Sequence, residues 1–313
     1  MEPLYRTDLG SAYCADSMNW LAELEDDSVS LAVTSPPFAL LREKKYGNLR
    51  GDEYVAWLLG FARELLPKLT LDGSFVIDIG GSYERGLPTR TLAQWKFLIA
   101  AVEEVGYHLA QECYWNNPAK LPTPIEWVNK RKIRLKDPVD TVWWLSRSPW
   151  PKVDTTRVLQ PYSNSMLDLL RGRSAKGIYK RPSGHTVTEK TFHDNGGALP
   201  SHLISISNTD SNGAYLRACK AAGISPHPAR FPSGLPEFFI KLLTDPDDLV
   251  IDFFAGSNTT GAVAQGLGRR WMSCDLDPSY VAASAFRLMM PDDDPAAVYA
   301  SVLAGPTVYM RPR

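Results

Sequence analysis

The chain has 313 residues, 44% hydrophobic and 11% aromatic, with a net charge of −1. That is ordinary globular content, which excludes a disordered or uniformly basic protein. No stretch approaches the ~18 apolar residues of a membrane span, Met1 to Gly10 lacks a signal-peptide pattern, and the four cysteines (Cys14, Cys113, Cys219, Cys274) have neither disulfide nor zinc spacing. A reducing cytoplasm, with no metal and no obligate protein partner, is therefore expected.

The first 115 residues alternate strand-like and helix-like pieces. Ala12 to Ala15 is a short apolar run ending at Asp16, Met18 to Leu24 has helical spacing, and Val29 to Val33 reads as a buried strand. In Asp52 to Leu69 the residues Val55, Leu58, Leu59, Ala62, Leu65 and Leu66 form one helical stripe, and Asp72-Gly73 turns into the strand Ser74 to Ile79. A helix over Thr91 to Val105 leads to the strand Tyr107 to Trp115. This rhythm favours a doubly wound, mostly parallel sheet.

From Asn116 to His227 the rhythm breaks, and only Thr141 to Ser146 and Leu203 to Ser207 look like strands. Between Lys130 and Lys190 there are fourteen Lys or Arg against five Asp or Glu, an asymmetry that suits docking of a polyanion or, equally, a solvated surface. Rhythm returns with the helix Leu235 to Leu243, the strand Leu249 to Phe254, a helix through Gly261 to Leu267, the strand Arg270 to Cys274 and the helix Tyr280 to Met289. The tail, Pro291 to Arg313, has no clear pattern. The two rhythmic ends are expected to fold into one sheet, with the basic middle inserted as a smaller lobe.

Two strand ends carry chemistry. After Leu249 a strand delivers Asp252-Phe253-Phe254-Ala255-Gly256-Ser257-Asn258-Thr259-Thr260-Gly261, a turn entering a helix, at the sheet edge where open α/β folds bind ligands. Gly256 lets backbone approach a ligand, and Ser257, Asn258, Thr259 and Thr260 bring hydroxyls and amides. The helix N-terminus favours an anionic group. Asp275 ends the next strand, where a carboxylate suits ribose hydroxyls. Neither the G-x-G-x-x-G spacing of dinucleotide sites nor the G-K-[ST] of P-loops occurs, so a smaller adenosyl ligand fits better.

The other strand end is Thr34-Ser35-Pro36-Pro37-Phe38. Two prolines remove two backbone donors, leaving carbonyl oxygens to face a ligand, which suits an amine. The lone pair of a nucleobase amine is conjugated into its ring, so acceptors that hold its hydrogens favour the tetrahedral form able to attack. Ser35 offers a hydroxyl, and Phe38 offers a ring on which a base can stack, with Tyr114 or Trp115 opposite. Asp78 ends a neighbouring strand. Two roles fit it: accepting a proton from or through Ser35, or anchoring the Gly80-Gly81 turn.

At these loops the chain resembles the S-adenosylmethionine-dependent amino-methyltransferases of DNA, with S-P-P-F and F-x-G motifs in the permuted order of the β class. Ser before the prolines is similar to the cytosine-N4 enzymes, and the chain has no Pro-Cys pair of the cytosine-C5 kind. Tyr46-Gly47-Asn48-Leu49, Asp72 to Gly81, Tyr114 to Lys132, Arg181-Pro182-Ser183-Gly184-His185, His227 to Ile240 and Tyr280 to Phe286 resemble the Pvu-type modification methyltransferases that recognise CAGCTG.

The resemblance implies a circularly permuted, seven-stranded α/β methyltransferase sheet with an inserted DNA-recognition lobe. The segments would be 1–115 (catalytic half), 116–226 (target recognition), 227–290 (cofactor half) and 291–313 (tail). It implies that Phe254, Gly256, Ser257, Asn258 and Thr259, with Asp252 at the strand end, hold the methionine and adenosyl parts of S-adenosylmethionine. Asp275, preferred over Asp277, takes the ribose, and Asp16 approaches the adenine. Ser35, Pro36, Pro37 and Phe38 would hold a cytosine flipped from double-stranded DNA, with Asp78 completing the catalytic set. Arg181, His185, Lys190 and Asn195 would contact base edges. Adenine-N6 methylation, and a DNA-binding module with an idle cofactor pocket, stay open as rivals.

Overall fold

The computed structural model of the protein describes residues 1–38, 51–171, 193–209 and 212–311, with the backbone of two short strands at 179–180 and 186–187. The strands are β1 (Tyr5–Arg6), β2 (Gly10–Cys14), β3 (Val29–Thr34), β4 (Leu69–Ile79), β5 (His108–Asn116), β6 (Val139–Ser146), β7 (Tyr179–Lys180), β8 (Thr186–Val187), β9 (Leu203–Ser205), β10 (Leu249–Asp252), β11 (Arg270–Asp275) and β12 (Val308–Tyr309). The helices are α1 (Ser17–Ala22), α2 (Gly51–Lys68), α3 (Ala93–Ala100), α4 (Asn164–Leu170), α5 (Gly213–Ala221), α6 (Gly234–Leu243), α7 (Thr259–Gly266), α8 (Pro278–Ser284) and α9 (Pro295–Ala304).

Among the described residues the main sheet has ten strands in the order β12-β1-β2-β11-β10-β3-β4-β6-β5-β9. Its central seven, β2 to β5 in that order, are the expected doubly wound sheet. β2, β11, β10, β3 and β4 run parallel to one another, and β6 is antiparallel to both β4 and β5. The two strands from the far end of the sequence, β10 and β11, lie between β2 and β3, so both halves of the chain make one surface.

Both faces of the sheet are covered, as a largely parallel sheet requires. Ile77, Ile79, Leu249 and Ile251 join Trp20, Leu58, Leu65 and Phe97 in one core, and the alternate residues Val76 and Val250 are also buried but outside it. The period of two along each strand thus feeds two cores. The stripe expected in α2 is that core's largest helical contribution, with Val55, Leu58, Leu59, Ala62 and Leu65 all buried.

The chain divides into two compact units, one of residues 1–153 with 202–313 and the other of residues 154–201. The second is narrower than the 116–226 segment set apart from the sequence. Thr141 to Ser146 lies in β6 at the heart of the main sheet, paired on both sides, and the exposed basic run Lys130 to Lys136 also belongs to the first unit. The tail does have structure: α9 is capped by Asp294, whose side chain accepts from the Ala296 N–H, and β12 pairs with β1.

Candidate active site

The carboxyl ends of β2, β11, β10, β3 and β4 bring the sequence-predicted residues to one edge. Asp16 follows β2, Asp275 ends β11, Gly256 follows β10, Ser35 follows β3 and Asp78 lies near the end of β4. Register explains the closest pair. Thr34 lies opposite Ile77, so the next position sets Ser35 against Asp78, and the Ser35 hydroxyl donates to Asp78 Oδ2 at 3.2 Å.

Asp78 is 4% exposed, and its Oδ1 is buried without a partner. Its acidity is weakened well beyond the usual carboxylate range, first by burial and then by the neighbouring charge of Asp140. The hydrogen bond from Ser35 and the Lys120 ammonium pull the other way. Phe38 packs close to the backbone beyond Asp78, where a Cβ on Gly80 would come within 2.3 Å of its ring. One wall beside the Phe38 ring is therefore bare main chain, and only glycine fits there.

The turn after β10 is held from inside. Asn258 adopts the left-handed conformation (φ 52°, ψ 46°); its Oδ1 accepts from the Gly261 N–H at 3.1 Å and its Nδ2 donates to the Tyr5 hydroxyl at 2.9 Å. Ser257, Asn258 and Thr259 are all buried, and Arg287 donates to the Ser257 hydroxyl at 3.0 Å. These side chains make hydrogen bonds within the protein, which fix the turn and leave its backbone facing outward from Gly256. Gly256 sits at φ 51°, and a Cβ there would lie 2.8 Å from the His227 ring. His227 in turn makes an edge contact with Tyr280 at 4.5 Å between centroids.

Asp252 is held from several sides. It is 2% exposed and its carboxylate is fully engaged. Thr34 donates to Oδ1 at 2.6 Å, the Phe254 N–H to Oδ1 at 3.1 Å, and Thr260 to Oδ2 at 2.8 Å. Asp252 ties the residue preceding Ser35 to the helix that follows the glycine turn. Burial raises its pKa from 3.8 to about 6.

Of the two candidate ribose acids, Asp277 caps α8, accepting from the Ser279 N–H at 2.8 Å and the Ser279 hydroxyl at 2.5 Å. Asp275 instead faces the glycine turn, with its Oδ2 accepting from the Gly256 N–H at 2.8 Å. Asp16 caps α1, accepting from the Asn19 N–H at 3.1 Å, and keeps its side chain exposed. Aromatic rings link α2 to the cofactor turn: Tyr54 lies 5.8 Å from Trp57, and Trp57 lies 5.5 Å from Phe254.

Sequence reasoning missed Lys120, Asp140 and Tyr54. Lys120 donates to both oxygens of Asp140 at 3.1 and 3.3 Å, and the Tyr54 hydroxyl is buried without a partner. Of the four residues expected to read bases, Arg181, His185 and Lys190 lie outside the described residues. Asn195 is exposed in the smaller unit, its N–H donating to the Tyr162 hydroxyl at 2.8 Å.

A five-stranded parallel run with an antiparallel hairpin beside it, a glycine turn and acid at adjacent strand ends, and a Pro-Pro loop next to them define the frame of a methyltransferase. The DNA methylase family model for N6 and N4 amino-methyltransferases matches residues 29–286, and the chain belongs to that family. It is 54% identical over 289 residues to the type II methyltransferase M.PvuII of Proteus hauseri, a match spanning 92% of this chain and 86% of that one. The solved structure of the PvuII DNA methyltransferase (cytosine-N4-specific) superposes with a TM-score of 0.81 at 47% identity, covering 98% of this chain and 97% of the other. A putative DNA modification methylase of Thermus thermophilus, solved with S-adenosyl-L-methionine, shares the fold at 17% identity and a TM-score of 0.54 over 98% of each chain.

Proposed function

We propose that the protein transfers a methyl group from S-adenosylmethionine to the N4 amine of a cytosine flipped out of duplex DNA, within CAGCTG, as the modification half of a type II restriction-modification system. The observation that carries this reading is the Ser35–Asp78 pair, 3.2 Å apart at the sheet edge, in a chain so similar to a cytosine-N4 enzyme. CAGCTG is the site of the Pvu-type enzymes that the sequence resembles.

The residues fit the cofactor. Gly256 leaves no room for a Cβ above His227, Asp275 lies beside it, and Asp16 stands at the end of the strand next to β11. Asp275 would take the ribose, Asp16 would approach the adenine, and the backbone of Phe254 to Thr259 would hold the methionine end. Bound S-adenosylmethionine would supply the methyl as an electron-poor carbon on a sulfonium.

The protein's own part is to make that amine a nucleophile. Pro36 and Pro37 leave carbonyl oxygens unopposed by N–H groups, and Ser35 keeps lone pairs free while donating to Asp78; these acceptors hold the amine hydrogens and localise the nitrogen lone pair. Asp78, buried and proton-hungry, receives the proton that the amine must lose, through Oδ1 or by way of Ser35. Phe38 stacks on the flipped ring, which offsets part of the few kcal/mol that flipping costs. Exposed cations of both units, Asn195 and the residues Arg181, His185 and Lys190 serve phosphates and base edges. A palindromic site is methylated one strand at a time, so a monomer suffices, in the cytoplasm where the DNA is. Methylating a plasmid, digesting it to nucleosides and mapping the modified base tests this directly. N4-methylcytosine within CAGCTG is expected, and N6-methyladenine or an unmodified plasmid would overturn it.

A further inference from the structure

The sheet extends the Ser35–Asp78 pair by two more side chains. In the antiparallel pairing of β4 with β6, Asp78 lies opposite Val142 and Ile79 opposite Thr141. The next step outward sets Gly80 against Asp140, placing Asp78 and Asp140 diagonally on one face, a spacing of roughly 7 Å. The contact is direct at Gly80, where a Cβ would meet Asp140 Oδ1 at 3.0 Å. Asp140 is 8% exposed, and Lys120, from the loop after β5, donates to both its oxygens. Ser35, Asp78, Asp140 and Lys120 thus run across β3, β4, β6 and the chain beyond β5 in a single row. Two carboxylates set side by side in a dry site need a reason, because each disfavours the other's charge.

From this row we infer that Asp140, tethered by Lys120, is a positioning residue for methyl transfer that acts through Asp78. The inference rests on the reading of Asp78 as proton acceptor. Asp140 sets a negative charge beside a carboxylate that must pick up a proton, and so raises the attraction of Asp78 for it. Lys120 fixes Asp140 in place and moderates its effect. Without Lys120 the proton would leave Asp78 too slowly between turnovers; without Asp140 it would bind too weakly.

The other groups around Asp78 leave this division clear. Ser35 from the end of β3 donates to it, and Tyr54 from α2 faces it with a neutral hydroxyl whose own ionisation Asp78 opposes. Arg90 approaches the chain at Gly81 and is paired with Asp137. Asp140 and Lys120 are the two charged groups that act on Asp78.

The two partners give opposite signs. Asp78 works as the carboxylate, so single-turnover methylation of a CAGCTG duplex rises with pH through its titration. Asp140→Asn removes a repelling charge and moves this acidic limb down by ~2 pH units, the size expected for charges ~7 Å apart at an effective dielectric constant near 20. Lys120→Gln moves it up, and the double variant returns toward the parent. Carboxyl-carbon NMR of the free protein should show the Asp78 resonance titrating with the same displacements, independent of turnover. A limb and resonance unmoved in both single variants, or displaced in the same direction, would overturn the inference. The double variant leaves no unpaired charge in the site, so it carries the test through the NMR readout if either single variant fails to fold. Asp78→Asn separates the two readings: if it keeps the acidic limb, Asp78 is not the proton acceptor; if it abolishes the limb while Asp140→Asn changes nothing, only the positioning role is lost.

Discussion

Asp252 lends itself to a quantitative test, because its carboxylate is almost wholly enclosed and engaged by Thr34, Phe254 and Thr260. Its pKa, raised from 3.8 to about 6 by burial, means that the folded protein prefers this group protonated. Folding stability from Asp252 is therefore greatest below the unfolded value and is lost as pH rises, reaching a penalty of ~3 kcal/mol above pH 6. About half of that loss, ~1.5 kcal/mol, falls between pH 5 and pH 7.5. Asp252→Asn keeps the shape and an acceptor for Thr34 and Phe254, turns its amide toward Thr260, whose hydroxyl can accept, and abolishes the titration. Urea unfolding of both proteins across that pH range should therefore show the variant gaining ~1.5 kcal/mol relative to the parent as pH rises. A flat difference, or one of opposite sign, would refute the assignment of the penalty to a buried charge. Asp252→Ala, which strands two hydroxyls and an N–H, should instead cost about 3–5 kcal/mol at pH 5, falling by the same ~1.5 kcal/mol toward pH 7.5 because it too removes the titrating group.

Ser35→Ala should lower the single-turnover rate by roughly 100-fold while cofactor affinity by calorimetry stays within about 3-fold; equal losses in both would remove Ser35 from the amine. Asp275→Asn should weaken cofactor binding by about 10-fold or more, whereas Asp277→Ala should leave affinity intact and cost about 1 kcal/mol of stability through the lost α8 cap, a contrast that calorimetry and unfolding together resolve. Gly256→Ala combines a strained left-handed backbone with a clash on His227, so cofactor affinity should fall by at least about 10-fold; unaltered binding would mean the turn does not approach the ligand. DNA affinity should fall steeply with salt, a slope of about −0.9 per neutralised phosphate on a log–log plot, and a flat response would remove the basic residues from the interface.

The elements most legible in the sequence were those whose signal is local. The buried runs at Val29 and Leu249 and the stripe of α2 gave strands and a helix within a few residues of their observed bounds, and the two loops that end β3 and β10 announced themselves by Pro-Pro and by glycine with hydroxyls. Side-chain direction was not legible. Ser257 and Thr260 look like ligand donors in a string of letters, yet their bonds to Arg287 and Asp252 depend on strands and helices far along the chain. Asp140 was invisible for the same reason: its partnership with Lys120 and its place beside Gly80 arise from antiparallel pairing across some sixty residues, which no periodicity encodes. The strand β6 was legible as a strand but not as part of the main sheet, since proline and basic residues on either side made Thr141 to Ser146 look like part of an inserted lobe. In α9, apolar residues all round left no stripe to read.

The interleaving of β10 and β11 between β2 and β3 also governs when the protein can exist. β3 ends at Thr34, but the strands that join it to β2 end only at Asp275. At 5–20 residues per second, roughly 10–40 s pass between the emergence of β3 and that of β10. Through that interval the nascent chain carries strand edges whose partners have not been made, a state that invites chaperones and punishes interruption. The catalytic loop and the cofactor turn therefore become neighbours only after the whole segment between β3 and β10 has been made.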